Sequence, residues 1–153
     1  MRRVVVLACG EPMRGDDGSG PAAVIRLSPW IRATAEVRTC RSLAAEALLA
    51  LSADEAVVVV DAVTGPPAGA IIRQPLADLD RVAVPWAPLS GHQLPLATTV
   101  ALARVLGWHG SGTFLGIGGA SFGLGEGLSD PVGEALPALI AAIEDEVIAL
   151  ATR

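Results

Sequence analysis

The run Val57-Val58-Val59-Val60, led by Ala56 and closed by Asp61, does most to limit the folds open to this chain. Four consecutive β-branched side chains disfavour a helix and suit a strand. No polar residue alternates among them, so the strand must be covered on both faces, the position of a central strand in an α/β protein. Val4-Val5-Val6-Leu7 repeats the pattern near the start of the chain. The first run leads into Gly10-Glu11-Pro12-Met13-Arg14-Gly15-Asp16-Asp17-Gly18-Ser19-Gly20, and the second stops at Asp61. A loop leaving the carboxyl end of such a strand is where open α/β sheets bind ligands.

The order reads β-α-β-α-β, then a mixed tail. Strands are expected at 3–8, 35–40, 56–60 (ending on Asp61), 70–74 and 113–118. Helices are expected at 20–27, stopped by Ser28-Pro29, and at 43–51, with Ser42 as N-cap. A third runs from Ser90 or Gly91 to Gly107, and a fourth opens at Ser129-Asp130-Pro131, with Asp130 as cap and Pro131 at the first helical position. Strand 70–74 follows the third strand too closely for a helical crossover, so it should run antiparallel. Residues 81–89 read as irregular and 118–127 as a glycine-rich loop. With 153 residues, no repeat and no dividing linker, the chain reads as one domain over 1–153.

Hydrophobic residues make up 52% of the chain and the mean hydropathy is +0.53. The apolar runs are nevertheless strand-length, and none reaches the ~18 residues of a membrane span. Residues 136–151 are interrupted by Glu144, Asp145 and Glu146. Arg2 and Arg3 precede a run too short for a signal peptide. The expectation is a soluble, cytoplasmic protein without a membrane partner. A formal charge of −5 with no basic patch argues against nucleic acid. Two cysteines, Cys9 and Cys40, make no disulfide framework. Both fall at expected strand ends and would lie close if those strands are neighbours; two buried thiols are the plainer reading.

The candidate chemistry rests on few residues. Asp16 and Asp17 stand in the first loop, where adjacent side chains point apart, so one of them is expected to enter a shared site. Asp61 faces the crevice at the end of the central strand, unless it only caps a turn. His92 falls at the expected start of the third helix, where the macrodipole favours a neutral ring that can ligate a metal or take a proton. His109 reads as an exposed turn residue. If strands one and three are neighbours, Asp17 and Asp61 flank one crevice and the third helix brings His92 to its rim. Two carboxylates and an imidazole suit a borderline divalent cation such as zinc or nickel, with positions left for water or substrate. Gly18-Ser19-Gly20-Pro21-Ala22-Ala23 matches a dinucleotide pattern, but it lies too far past the strand and beside two acids that repel a pyrophosphate. Without lysine there is no phosphate-binding P-loop.

Taken together, these segments resemble the nickel–iron hydrogenase maturation endopeptidases. The family's Gly-Asn-Pro-x-x-x-Asp-(Asp or Glu)-Gly-x-Gly stands here as residues 10–20, its strand ending Asp-Ala as Val57 to Ala62, its helix-opening histidine as His92-Gln93-Leu94, and its Gly-x-Gly-Leu-Ser-x-x-Val as Gly125 to Val132. The resemblance implies a phosphorylase/hydrolase-like three-layer α/β/α sandwich around a five-stranded mixed sheet with one antiparallel strand. It implies an aspartic-type endopeptidase that removes a short C-terminal extension from the large-subunit precursor of a [NiFe] hydrogenase. Asp17, Asp61 and His92 would contact nickel carried by that precursor, Asp17 or Asp16 could act as general base, and zinc or another divalent metal could replace nickel in vitro. Two departures stand out: Glu11 replaces the family's asparagine, and Thr39-Cys40-Arg41-Ser42-Leu43-Ala44 replaces a segment that often reads Asp-Gly-Gly-Thr. They leave as a rival a non-catalytic precursor-binding or chaperone protein on the same fold; a second rival is a small-molecule hydrolase using Asp17 and Asp61, which a closed, small pocket around them would favour.

Overall fold

The two valine-rich runs lie side by side. In the computed structural model, which describes residues 1–79, 81, 83–88, 94–125 and 127–153, β1 (Val4–Cys9) and β3 (Ala56–Thr64) pair in parallel from Val4 opposite Ala56 to Ala8 opposite Val60. β2 (Ala35–Cys40) flanks β1 in parallel, and β6 (Ser111–Gly118) flanks β3 in parallel. β4 (Ile71–Pro75) closes that side, antiparallel to β6. The order is β2-β1-β3-β6-β4, with a two-residue β5 (Ala87–Pro88) antiparallel to the end of β3. The antiparallel direction of residues 70–74 holds. The short link from β3 skips one strand position, and β6 later fills it.

Each strand splits its side chains between two cores. Val4, Val6 and Ala8, with Val58 and Val60, face α1 (Ser19–Ile25), α2 (Pro29–Thr34) and α5 (Asp130–Ala151). Val5, Leu7 and Cys9, with Val57 and Val59, face α3 (Ala45–Leu49) and α4 (Leu96–Val105). This is the expected three-layer α/β/α sandwich. On α5, Val132, Leu136, Leu139, Ile143, Val147 and Leu150 repeat every three or four residues and are all buried. Glu146 on the same helix is buried too, and its carboxylate accepts hydrogen bonds from Arg73 (2.8 and 3.1 Å) and from the Thr113 hydroxyl (2.6 Å). That contact ties α5 to β4 and β6.

Several boundaries differ from expectation for local reasons. The sheet gains a sixth strand, because Ala87 and Pro88 pair with Val63 and Thr64. Ser28-Pro29 ends one helix and also starts another: the Ser28 hydroxyl accepts from the Ile31 amide (3.3 Å), and Pro29 occupies the first turn of α2. Ser42 does not cap α3, which begins after Ala44 without a side-chain cap. β3 continues past Asp61 to Thr64, because β6 and β5 still flank it there. α4 begins at Leu96, behind Pro95, which disfavours helical geometry at the residue before it. His92 lies outside the described residues, as do Ser90 and Gly91, at which that helix was expected to open. The N-cap position of α5 is Ser129, not Asp130, and it makes no side-chain cap bond.

Candidate active site at the carboxyl edge of the sheet

β1 stops at Cys9 while β3 runs on, so the β1/β3 ladder ends at Ala8 and Val60 and leaves one side of Asp61 facing the loop that follows β1. That loop is folded tightly. Gly10 has φ +140°, and a Cβ there would lie 1.8 Å from the Asp17 carbonyl oxygen, so only glycine lets the chain cross itself. The two acids sit in a 3₁₀ turn over Gly15–Gly18. Gly20, in the first turn of α1, is pressed against the ends of both strands; its missing Cβ would be 2.9 Å from the Cys9 carbonyl oxygen and 3.3 Å from that of Val60.

The two aspartates diverge, as adjacent loop side chains should. Asp16 is fully buried. One carboxylate oxygen accepts from the Ala120 amide (2.8 Å), the Ser121 amide (2.9 Å) and the Ser129 hydroxyl (2.7 Å), and the other from the Ser129 amide (2.7 Å). The Ser129 hydroxyl is therefore spent on Asp16 rather than on capping α5. Burial pushes the Asp16 carboxyl up, but these four donors together outweigh it and hold it below the ordinary value. The backbone adds to the seam: Asp16 N–H donates to Ser121 (2.7 Å), Gly15 N–H to Gly125 (3.0 Å), and Gly125 N–H to Met13 (2.7 Å). The glycine-rich loop thus serves as the partner of the acid loop, a role that spacing in the sequence does not reveal.

Asp17 is half-buried and accepts one hydrogen bond, from the Glu11 amide (2.9 Å). Burial raises its carboxyl, the Glu11 amide lowers it, the Glu11 charge raises it and Arg14 lowers it, with a net upward shift. Asp61 is buried on the α3/α4 face, where one oxygen accepts from the Ala62 amide (2.8 Å). Among the described residues, the small cavity beside it is lined by Leu43, Val59, Val63 and Leu96, with Trp86 stacked on Phe114 at 4.7 Å between ring centroids. The charges of both Asp61 and Asp17 raise the thiol of Cys9, at the end of β1. His109 is exposed. Among the described residues no group of three or more His, Cys, Asp and Glu side chains is gathered for a metal ion, and no helix is long and apolar enough to cross a membrane.

Open grooves of about 280 Å³ and 370 Å³ flank the acid loop and share Pro12 and Pro21 as a ridge. The first runs toward β2 past Glu11, Cys40 and Arg41, and the second toward α1 and α5 past Ile25, Arg26 and Leu128. The two departures noted in the sequence meet at the first groove, where Arg41 lies 3.2 Å from the Glu11 carboxylate.

Solved structures with this architecture exist. The hydrogenase maturating endopeptidase HybD from E. coli superposes with a TM-score of 0.70 at 19% identity, over 92% of this chain and 89% of that one. The fold is that of the hydrogenase maturation endopeptidases. The [NiFe] hydrogenase maturation protease HycI from Thermococcus kodakarensis KOD1 gives 0.68 at 22% identity, covering 96% and 93% of the two chains. HybD from Thermococcus kodakarensis, also a [NiFe] hydrogenase maturation protease, gives 0.65 at 19% identity, covering 94% and 97%. No protein-family model matches the chain, and no curated protein does. On this maturation-endopeptidase fold, the acid loop and Asp61 occupy the carboxyl edge of the sheet.

Proposed function

We propose that the chain is a cytoplasmic hydrogenase maturation endopeptidase, which removes a short C-terminal extension from the nickel-loaded large-subunit precursor of a [NiFe] hydrogenase. The observation that carries this reading is the fold, with the acid loop that carries Asp17, and Asp61 just past the end of the β1/β3 ladder, both at the carboxyl edge of the sheet, and open grooves beside that loop. Nickel belongs to the substrate. Asp17, Asp61 and His92 would meet it and so place the scissile peptide. Water is the second reactant: its oxygen bonds to the scissile carbonyl carbon, and the departing nitrogen takes up a proton. The metal polarises the carbonyl or the water, and Asp17, its carboxyl raised by burial, is the better placed of the two acids to take the proton. Asp16 is occupied by four donors and serves to hold the loop.

Open grooves suit a folded precursor with an extended tail better than a small-molecule substrate. Glu11, which stands where the family has asparagine, pairs with Arg41 at the rim of the groove and gives its backbone amide to Asp17. The decisive test is the intact mass of a hydrogenase large subunit from the same genome, co-expressed with nickel, with and without this chain. Loss of a C-terminal peptide only when both are present is the expected result, and Asp17→Asn, Asp61→Asn and His92→Ala should each abolish it. Precursor that binds but keeps its mass would overturn the protease reading in favour of a binding protein.

A further inference from the structure

The strand register sets Cys9 opposite Cys40 at the last pair of the parallel β1/β2 ladder, and their sulfur atoms are 2.9 Å apart. Aligned residues on neighbouring strands have backbones about 4.8 Å apart, inside the Cα separation that a disulfide bridges. The two thiols are not equivalent. Cys9 is fully enclosed in the core beneath α3 and α4. Cys40 is half-buried and lines the 280 Å³ groove beside Gly10, Glu11, Pro12 and Arg41. A reagent in that groove reaches Cys40 first, and Cys40 in turn reaches Cys9.

Electrostatics orders them the same way. The hydrogen bond with Cys40, burial, and the charges of Asp61 and Asp17 all raise the Cys9 thiol well above its ordinary value. The bond to Cys9 lowers Cys40 more than burial raises it. A thiophilic metal held by both sulfurs would need the Cys9 anion in the core near two carboxylates. A disulfide is neutral and carries no such cost.

We infer that Cys9 and Cys40 form a redox-active dithiol whose substrate is a low-molecular-weight disulfide, with Cys40 attacking and Cys9 resolving. The Cys40 thiolate bonds to one sulfur of R–S–S–R, whose S–S bond breaks and releases RS⁻, which takes up the proton that Cys40 gave up. The Cys9 sulfur then bonds to the Cys40 sulfur, the mixed disulfide breaks, and the second RS⁻ leaves with the Cys9 proton. The chain is oxidised by two electrons and two protons, and one R–S–S–R is reduced to two RSH. Neither thiol has a part in the proposed peptide hydrolysis, so the inference stands apart from that reading.

The test uses the reduced full chain and oxidised glutathione under native conditions, with acid quenching, alkylation of free thiols and mass spectrometry. The expected product lacks two hydrogens, contains a Cys9–Cys40 linked peptide and is reversed by dithiothreitol. Cys9→Ala should stop at a single glutathione adduct on Cys40, and Cys40→Ala should take up none. Near-UV circular dichroism checks that each variant is packed. Should a variant fail to fold, the parent chain still decides: the link should form about tenfold faster in the native chain than in urea, where the thiols are no longer held together. Two free thiols after exposure, a lasting glutathione adduct on the parent chain, or a native rate no faster than in urea would each overturn the inference.

Discussion

On its α5 side the acid loop holds Asp16, enclosed and accepting four hydrogen bonds from the glycine-rich loop and the start of α5. On the crevice side it holds Asp17, half-buried, with one hydrogen bond and the negative Glu11 close by. The residues are adjacent and chemically identical, yet one carboxyl is held below its ordinary value and the other above it. Donors decide the difference. A buried carboxylate that is given enough N–H groups remains an anion and becomes structural, whereas one left short of them holds its proton more readily and can serve in proton transfer. The seam on one side anchors the loop through four bonds to Asp16, while the other side gives Asp17 a single donor.

The largest effect should come from the residue on which both sides depend. Gly10→Ala places a Cβ against the Asp17 carbonyl at a positive φ, so a loss of about 4 kcal/mol or more is expected in urea unfolding. A smaller loss would mean that the chain does not cross itself so closely there. Asp16→Ala comes next. It strands three amides and a hydroxyl, for an expected loss of about 3–5 kcal/mol. Native-state hydrogen exchange should then rise at Ala120, Ser121 and Ser129; unchanged protection there would separate Asp16 from the seam.

Asp17→Asn should have the opposite sign. A carboxyl raised on folding contributes stability below its unfolded pKa, and loses it as pH rises through the folded value. Removing the charge should therefore leave the protein equally stable or more stable at neutral pH, by less than about 1 kcal/mol, with the gain vanishing on acidification. Asp16 runs the other way: its lowered carboxyl supports the fold above about pH 4, and that support fades as pH falls through the folded value. In the proposed reaction, Asp17→Asn should cost about a hundredfold or more in cleavage rate. A variant that is destabilised at neutral pH would contradict the contrast between the two acids.

The sequence carried most of the fold and less of the site. Runs such as Val4–Leu7 and Val57–Val60 announce buried parallel strands because burial on both faces removes any alternation. The antiparallel direction of β4 followed from loop length, whereas the neighbours of β1 were conditional on strand order. Chain ends of elements were harder to read, since Ser28-Pro29 serves equally as a stop and a start, and β5 exists only because β3 overruns its neighbour. At the site, Asp17 and Asp61 were legible as acids at strand ends. The role of Asp16 was not, because its four donors come from residues more than a hundred positions away and three of them are backbone amides, which leave no mark in composition. The closeness of Cys9 and Cys40 was conditional on strand order, and strand order supplies it.

The mildest change isolates the field at Asp17 from its hydrogen bonding. Glu11→Gln keeps the backbone amide that donates to Asp17 and removes only the neighbouring charge. The ion pair with Arg41 is also lost, but Arg41 is largely exposed and such a pair contributes under about 1 kcal/mol. Stability should therefore barely move, while the Asp17 carboxyl should titrate lower by NMR, because burial remains and the charge that reinforced it is gone. If the pH dependence of cleavage shifts with that titration, Asp17 is the group whose protonation governs the reaction. If the carboxyl titration moves and the cleavage profile does not, the proton is taken elsewhere, and Asp17 acts by holding the substrate's metal rather than as the base.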